Sequence, residues 1–304
     1  MMLEALLLAT LVELMAAEFD PELHAKYMTM PKSSFIEYFN AQDYSYKIAE
    51  FENKYTGCAH VDKESMERLP IQTHDLDGID LPESFDAREK WPQCEFIKEV
   101  YDQGACGSCW TFGTATTASD RTCIHKDLHV QLSEQDFECL QTNVCGGGYP
   151  VLAFQFWQDK GLVTQECKPY NIDDLIKNKC ETKCVNTDVE YNEDKHYAEK
   201  VYRISNNSDE IKAELVKNGP IQAAFTVFGD FTEYKSGIYI HTHGYEVGRH
   251  SVRIIGYGVE DGKDYWLVAN SWGEIWGEHG FFKIKSYQEG IEFENDLLAG
   301  IPKN

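Results

Sequence analysis

The sequence predicts an α+β fold in which a helical half precedes a strand-rich half, with a cleft between them. Three observations carry this. The chain has 304 residues, 42% apolar and 13% aromatic, enough to bury a sizeable core in one large or two small domains. Trp, Cys and Gly are dense from Leu81 to about residue 160, where Trp110 to His125 runs without proline, as suits a buried helix. Past about residue 190 the pattern turns to short apolar runs punctuated by glycine, the mark of strands.

Taken in order, residues 3–14 are apolar apart from Glu4, Thr10 and Glu13 and lead into Met15-Ala16-Ala17. This fits a signal peptide over 1–17, too short to span a bilayer. The absence of Lys or Arg ahead of it leaves an amphipathic helix as the alternative. Residues 18–80 are polar, with helix-like patches at Ser33–Phe39 and Tyr46–Lys54. They end in an acidic stretch, His74 to Asp80, that reads as an exposed linker or cleavage region. A helix opens directly after Cys109, and a second is expected over Ser133–Leu140, with Ser133 as its cap. After a short helix at Asp209–Lys217, strands are expected at Ile221–Phe228, Ser251–Val259, Tyr265–Ala269 and Phe281–Lys285. No internal repeat, low-complexity tract or later transmembrane segment interrupts this order.

Charge narrows the partners. There are 28 basic and 51 acidic side chains, a net charge of −23, and no basic run offsets it. Such a chain repels phosphate backbones and anionic lipid headgroups, so neither nucleic-acid nor membrane binding is expected. Ten cysteines point to an oxidising compartment and hence the secretory pathway. Nine lie between Cys94 and Cys184, with Cys58 alone upstream; an odd number leaves at least one thiol there without a local partner. A zinc site is the competing use of these sulfurs, but no C-x-x-C pair has a matching pair downstream.

The segment Gln103-Gly-Ala-Cys106-Gly-Ser-Cys109-Trp110 contains C-G-[SA]-C-[WY], a pattern found around the nucleophile of papain-like thiol proteases. Such chemistry needs a base within reach of sulfur, a group orienting that base, and donors aimed at a developing oxyanion. His250 lies 141 residues after Cys109 and begins a strand-like run; Asn270 follows 20 residues later in Ala-Asn270-Ser-Trp272-Gly. A bare Cys106/Cys109 redox pair would leave Gln103, His250 and the Asn270-Ser-Trp272 block unexplained.

With these residues in hand, the chain over 81–304 resembles the papain family, and within it the cathepsin B-like proteases. The stretch Leu81-Pro-Glu-Ser-Phe-Asp-Ala-Arg-Glu-Lys-Trp-Pro-Gln-Cys94 carries the likeness, as do Gly148-Tyr-Pro, Asp194-Lys-His-Tyr, Tyr234-Lys-Ser-Gly-Ile-Tyr and Ala299-Gly-Ile-Pro302. The resemblance implies a papain-like two-domain fold, a helical left domain (about 92–188) and a β-barrel-like right domain (about 189–290), with the active cleft between them. It implies Cys109 as nucleophile, His250 as general base and acid, and Asn270 as the group orienting the imidazole. Gln103 would be the side-chain donor of the oxyanion hole, and Trp272 would shield the Asn270–His250 hydrogen bond. Gly147 and Gly148 would pair with substrate backbone, although the family's asparagine before them is Gly146 here. It further implies bridges joining Cys94 to Cys123, Cys106 to Cys145, Cys139 to Cys180 and Cys167 to Cys184, which would leave Cys109 free. Residues 18–80 would be an inhibitory propeptide, and the enzyme a monomeric zymogen of an acidic, lysosome-like vesicle or of the extracellular space. Its partners would be peptide and protein substrates and its own propeptide, and no cofactor or metal is implied.

Three departures matter. Only 16 residues, none of them His, separate Cys167 from Cys184, where cathepsin B carries the histidines that block the primed side of the cleft. An endopeptidase with an open primed side is therefore expected. Arg249 stands where the family has glycine before the histidine, a cation expected near the S1′ side or in solvent. Glu294 is the candidate carboxylate for the S2 pocket, which receives P2, the side chain second before the cleaved bond; a two-residue lengthening makes Asp296 the alternative. Asn206-Asn207-Ser208 is a candidate glycosylation sequon. The rival from another class is a catalytically silent, disulfide-stabilised binding protein on the same fold.

Overall fold

A computed structural model of the chain describes residues 19–52 and 60–303. The signal peptide expected over 1–17 and Cys58 lie outside these residues. Nine α-helices and ten strands are named here in chain order. The N-terminal segment contributes α1 (Pro21–Thr29), α2 (Lys32–Asn40), β1 (Tyr46–Ile48), α3 (Lys63–Arg68) and β2 (Ile71–Gln72). The helix start at Pro21 follows from local chemistry: Asp20 accepts the N–H groups of Glu22 and Leu23, and proline stands in the first turn.

The helical half is built on α5 (Cys109–Lys126) and α6 (Pro150–Asp159), with the short α4 (Ala87–Lys90) before them and α7 (Ile172–Leu175) after. The strand-rich half follows, with α8 (Ser208–Asn218) and α9 (Gly229–Thr232) between its strands. Those strands are β4 (Ala198–Ile204), β5 (Ile221–Phe228), β6 (Tyr234–Tyr239), β7 (Glu246–Glu260), β8 (Lys263–Ala269), β9 (Phe281–Lys285) and β10 (Asp296–Pro302). Together with β1 and β2 they form a sheet in the order β1-β6-β9-β8-β7-β5-β10-β4-β2, while β3 (Phe85–Asp86) pairs with β7. The expected α+β architecture is therefore present, and β5 and β9 have the bounds read from the sequence.

Every residue of α5 from Cys109 to Cys123 is buried, although many are polar. The helix tolerates this because Thr114, Thr116, Ser119 and Thr122 each donate their hydroxyl to the carbonyl four residues back. Two apolar cores result. One lies on the sheet around Phe225, Phe231, Trp266, Trp276 and Phe282; the other surrounds α5 and α6 with Trp110, Ala118, Phe154 and Trp157. The N-terminal segment enters both, giving Leu23, Phe35, Phe39 and Tyr46 to the first and Met66 and Leu69 to the second. It thus lies against both halves of the molecule.

Three expectations need correction. The helix at Ser133–Leu140 is a short 3₁₀ turn, Gln135–Cys139; the Ser133 hydroxyl donates to the Lys168 carbonyl at 2.6 Å and so caps nothing. The helix-like patch at Tyr46 is strand β1, because Tyr46 and Ile48 are both buried and pair with β6. The stretch from His74 is not all exposed linker. The His74 imidazole is buried 2.8 Å from Glu214, and its backbone N–H donates to Glu210 at 2.9 Å.

The seat of α1 and α2 is pH-sensitive. His243 is fully buried against the rings of Tyr27, Phe35 and Phe39, with centroids 4.9, 4.9 and 5.3 Å away. Burial lowers its pKa to about 4, while Asp230 and Asp20 oppose this and His241 and His24 add to it. A histidine lowered from about 6.5 costs the docked state progressively as pH falls from 6.5 through 4, at roughly 1.4 kcal/mol per unit. Hydrogen exchange across residues 21–48 is therefore expected to accelerate between pH 6.5 and 4 in wild type. The acceleration should be blunted in His243→Leu; identical profiles would contradict this account.

Candidate active site

Cys109 is the first residue of α5 and is completely buried. The amide dipoles of the helix point their positive end at its sulfur, which favours an anion there. Here, however, Cys109 is disulfide-bonded, which corrects the expectation of a free thiol. The other cysteines pair as the resemblance implied: Cys94–Cys123, Cys106–Cys145, Cys139–Cys180 and Cys167–Cys184. Cys58, outside the described residues, is the one cysteine of the sequence beyond these nine. Counting only Cys94 to Cys184 gave an odd number; the whole chain has an even one. Because these eight sulfurs are bonded to one another, the zinc alternative has no ligands among them.

His250 sits in β7 and is fully buried. Its Nε2 lies 2.7 Å from Asn270 Oδ1. An amide oxygen only accepts, so Nε2 carries the proton and Nδ1 is left as the basic nitrogen. Nδ1 is buried and makes no hydrogen bond among the described residues. Asn270 cannot easily flip, since Oδ1 also accepts the Ser271 N–H at 2.8 Å. Trp272 lies against the imidazole, ring centroids 4.6 Å apart. Burial lowers the His250 pKa to about 4, partly offset by the Asn270 bond. With the sulfur in a disulfide and uncharged, this ring is neutral above that pH.

The two halves are joined at this point by contacts the sequence reading passed over. Gln103 Oε1 accepts the Ser271 hydroxyl at 2.7 Å, its Nε2 donates to the Cys106 carbonyl at 2.8 Å, and its backbone N–H donates to the Ser271 carbonyl at 2.9 Å. Ser271 therefore links the segment before Cys109 to the block that holds His250; its place between Asn270 and Trp272 was the available signal. Tyr170 donates to the Gln103 carbonyl at 2.9 Å and shares a 2.7 Å bond with the Ser108 hydroxyl. Gly113, one turn into α5, is packed so closely on β7 that a Cβ would lie 2.3 Å from Ser251 Oγ.

The remaining expected residues divide. The Gly148 carbonyl accepts the His60 N–H at 2.8 Å, so backbone of the N-terminal segment already pairs there. A Cβ on Gly148 would meet the Trp110 ring at 2.4 Å, and Gly147 has φ +98°. Glu294 is buried, accepting from Trp266 Nε1 at 2.7 Å and the Tyr287 N–H at 2.8 Å. Asp296, the alternative, lines a pocket beside Pro150, Ala224 and Leu298. Arg249 is neither solvated nor free near S1′, because its guanidinium is paired with Glu292 and Asp296. Asn206 is exposed and donates to Asn295 at 2.6 Å.

A buried cysteine at a helix start, and an amide-fixed histidine on the strand packed against that helix, is an arrangement suited to thiol-dependent hydrolysis. Residues 81–301 match the model of the papain family cysteine protease, and the chain belongs to that family. It is 41% identical over 263 residues to "Cathepsin B-like cysteine proteinase 6" of Caenorhabditis elegans, covering 76% of this chain and 69% of that protein. To "Cathepsin B-like protease 1" of Arabidopsis thaliana it is 36% identical over 307 residues, covering 90% and 80%. Among solved structures it resembles "proCathepsin B S9 from Trypanosoma congolense", with a TM-score of 0.82 and 29% identity over 90% of this chain and 99% of that one. The chain is a cathepsin B-like cysteine protease, and the silent binding protein is the weaker reading.

Alanine normally favours a helix over glycine by nearly 1 kcal/mol, yet Gly113→Ala is expected to lower both melting temperature and kcat/KM. The added methyl must displace either the Ser251 hydroxyl from its 2.9 Å bond with Gln222 or α5 itself, beside the neighbour of His250. Thermal unfolding and peptide hydrolysis measure the two effects; a stabilised, fully active variant would show that the seam does not set the site.

Proposed function

We propose that this chain is the zymogen of a thiol endopeptidase whose active site is Cys109, His250, Asn270 and Gln103. The observation that carries the assignment is the 2.7 Å His250–Asn270 bond, which leaves the ring's Nδ1 buried and without a hydrogen bond among the described residues, on the strand packed against the helix that Cys109 begins. A dithiol, oxidised to its own disulfide, supplies two electrons and two protons to the Cys109 disulfide, giving one thiol at Cys109 and one at its partner. His250 Nδ1 then takes the thiol proton, and the resulting ion pair raises the imidazole pKa from the low value it has beside an uncharged sulfur. The thiolate attacks the peptide carbonyl, and the Gln103 amide with the Cys109 N–H stabilises the oxyanion. His250 returns its proton to the leaving amine, and water releases the acyl group from sulfur.

Residues 18–80 act as the inhibitory propeptide, a reading supported by their packing on both cores and by the His60–Gly148 backbone bond in the substrate position. The short Cys167–Cys184 loop favours endopeptidase action over removal of C-terminal dipeptides. A signal peptide over 1–17, passage through the secretory pathway, an acidic vesicular or extracellular destination and a monomeric state complete the reading.

Two outcomes test it. A thiol-directed epoxide should label Cys109 only after reduction and acidification, with no label in Cys109→Ala; equal labelling without reductant would contradict latency through this bond. The reduced, activated enzyme should cleave an internally quenched peptide at least tenfold faster than a free-carboxylate dipeptidyl substrate. Efficient stepwise loss of C-terminal dipeptides would overturn the endopeptidase assignment.

A further inference from the structure

Beside the Gly148 carbonyl lies a pocket walled by Pro150, Val151, Gln222, Ala224, Asp296 and Leu298. In the described state the N-terminal segment contributes His60, Val61, Asp62 and Met66 to its lining, and Met66 belongs to the same apolar core as Val151, Ala224 and Leu298. The pocket is thus apolar at Met66, Val151, Ala224 and Leu298, although the Asp296 carboxylate lines it. The sheet register explains where that carboxylate comes from and what it touches. Asp296 pairs with Ala224 across β10 and β5, and Thr226, two residues along β5, pairs with Arg249 of β7.

Arg249 reaches back along this face. Its Nη2 bonds Asp296 Oδ2 and also points at the Ala224 carbonyl 3.4 Å away, while Nη1 bonds Glu292 at 3.0 Å. Arg249 and Asp296 are both mostly buried, with side-chain exposures of 18% and 16%, whereas Glu292 is 54% exposed. The Asp296 carboxylate is therefore already matched by a guanidinium at low solvent access, where ion pairs are screened least. A second guanidinium entering the pocket would meet Arg249 as well as Asp296.

Resting on the protease reading above, we infer that Arg249 and Asp296 together set specificity at S2: the pair closes the pocket to basic P2 side chains and leaves it to aliphatic ones. Arg249 is a specificity residue acting through Asp296, and the departure from the family's glycine before His250 is what creates it.

The test uses reduced, activated enzyme, titrated with the epoxide so that rates are per active site, on fluorogenic peptides with Leu or Arg at P2 and Arg at P1. Wild type is expected to favour P2 Leu by at least 50-fold in kcat/KM. Arg249→Gly should raise the Arg-to-Leu ratio at least tenfold, and Arg249→Gly with Asp296→Asn should return it towards the wild-type value. Arg249→Lys, which keeps the charge, should keep the preference for Leu. Comparable cleavage of both substrates by wild type, or a ratio unmoved in Arg249→Gly, overturns the inference. Failure of the protease reading looks different: no epoxide label at Cys109 after reduction and no cleavage of either peptide.

Discussion

The structure depends on the contact of one helix with one strand. Helix α5 carries Cys109 and strand β7 carries His250, and chemistry between them requires the two elements to abut with little tolerance. Gly113 against Ser251 sets how closely they approach. Further along the same seam Asp120 bonds Arg253 at 2.7 Å with both side chains buried. Burial pushes the Asp120 carboxyl up to about 6 while Arg253 opposes it. A buried pair of this kind adds little net stability, but removing one partner typically costs about 3–5 kcal/mol. Its effect is to make one registration of helix on strand far better than its neighbours.

A second buried cation extends this logic to the N-terminal segment. Arg121 bonds Glu214 at 2.8 Å, Tyr202 at 3.0 Å and the carbonyls of Gly219, Pro220 and Gly300. Glu214 in turn holds His74 of the N-terminal segment. The network that ties α5 to the sheet therefore also receives the segment that covers the cleft. Glu214 also holds Arg121, Tyr202 and Asn218, so the link from α5 to α8 does not run through His74.

How much of this was legible in the sequence follows from the range of each interaction. The long helix from Cys109 could be read locally, since a proline-free run with one glycine has few alternatives, and β5 and β9 announced themselves by β-branched and aromatic runs. Strand β1 was misread because its partner β6 lies almost 190 residues away, and Tyr46–Ile48 is too short to show a period. The choice between two S2 carboxylates stayed open for a similar reason. Glu294 and Asp296 sit two apart, an interval over which strand and loop are indistinguishable, and the deciding partner of Glu294, Trp266, is remote in sequence. The free Cys109 thiol was an expectation carried over from the resemblance, and nothing in the residues around it signals that it is bonded.

The Cys109 bond and the Arg249 pair bear on the same economy of charge. Both place a reactive or charged group in a buried setting and neutralise it: the sulfur by a covalent bond, the Asp296 carboxylate by a guanidinium. The difference is reversibility. A dithiol restores the sulfur anion, and the helix start and His250 are already arranged to receive it, so little reorganisation separates the latent from the active geometry. Nothing in the catalytic cycle removes Arg249 from Asp296. On the proposed reading the first neutralisation governs when the site works, and the second governs what enters it.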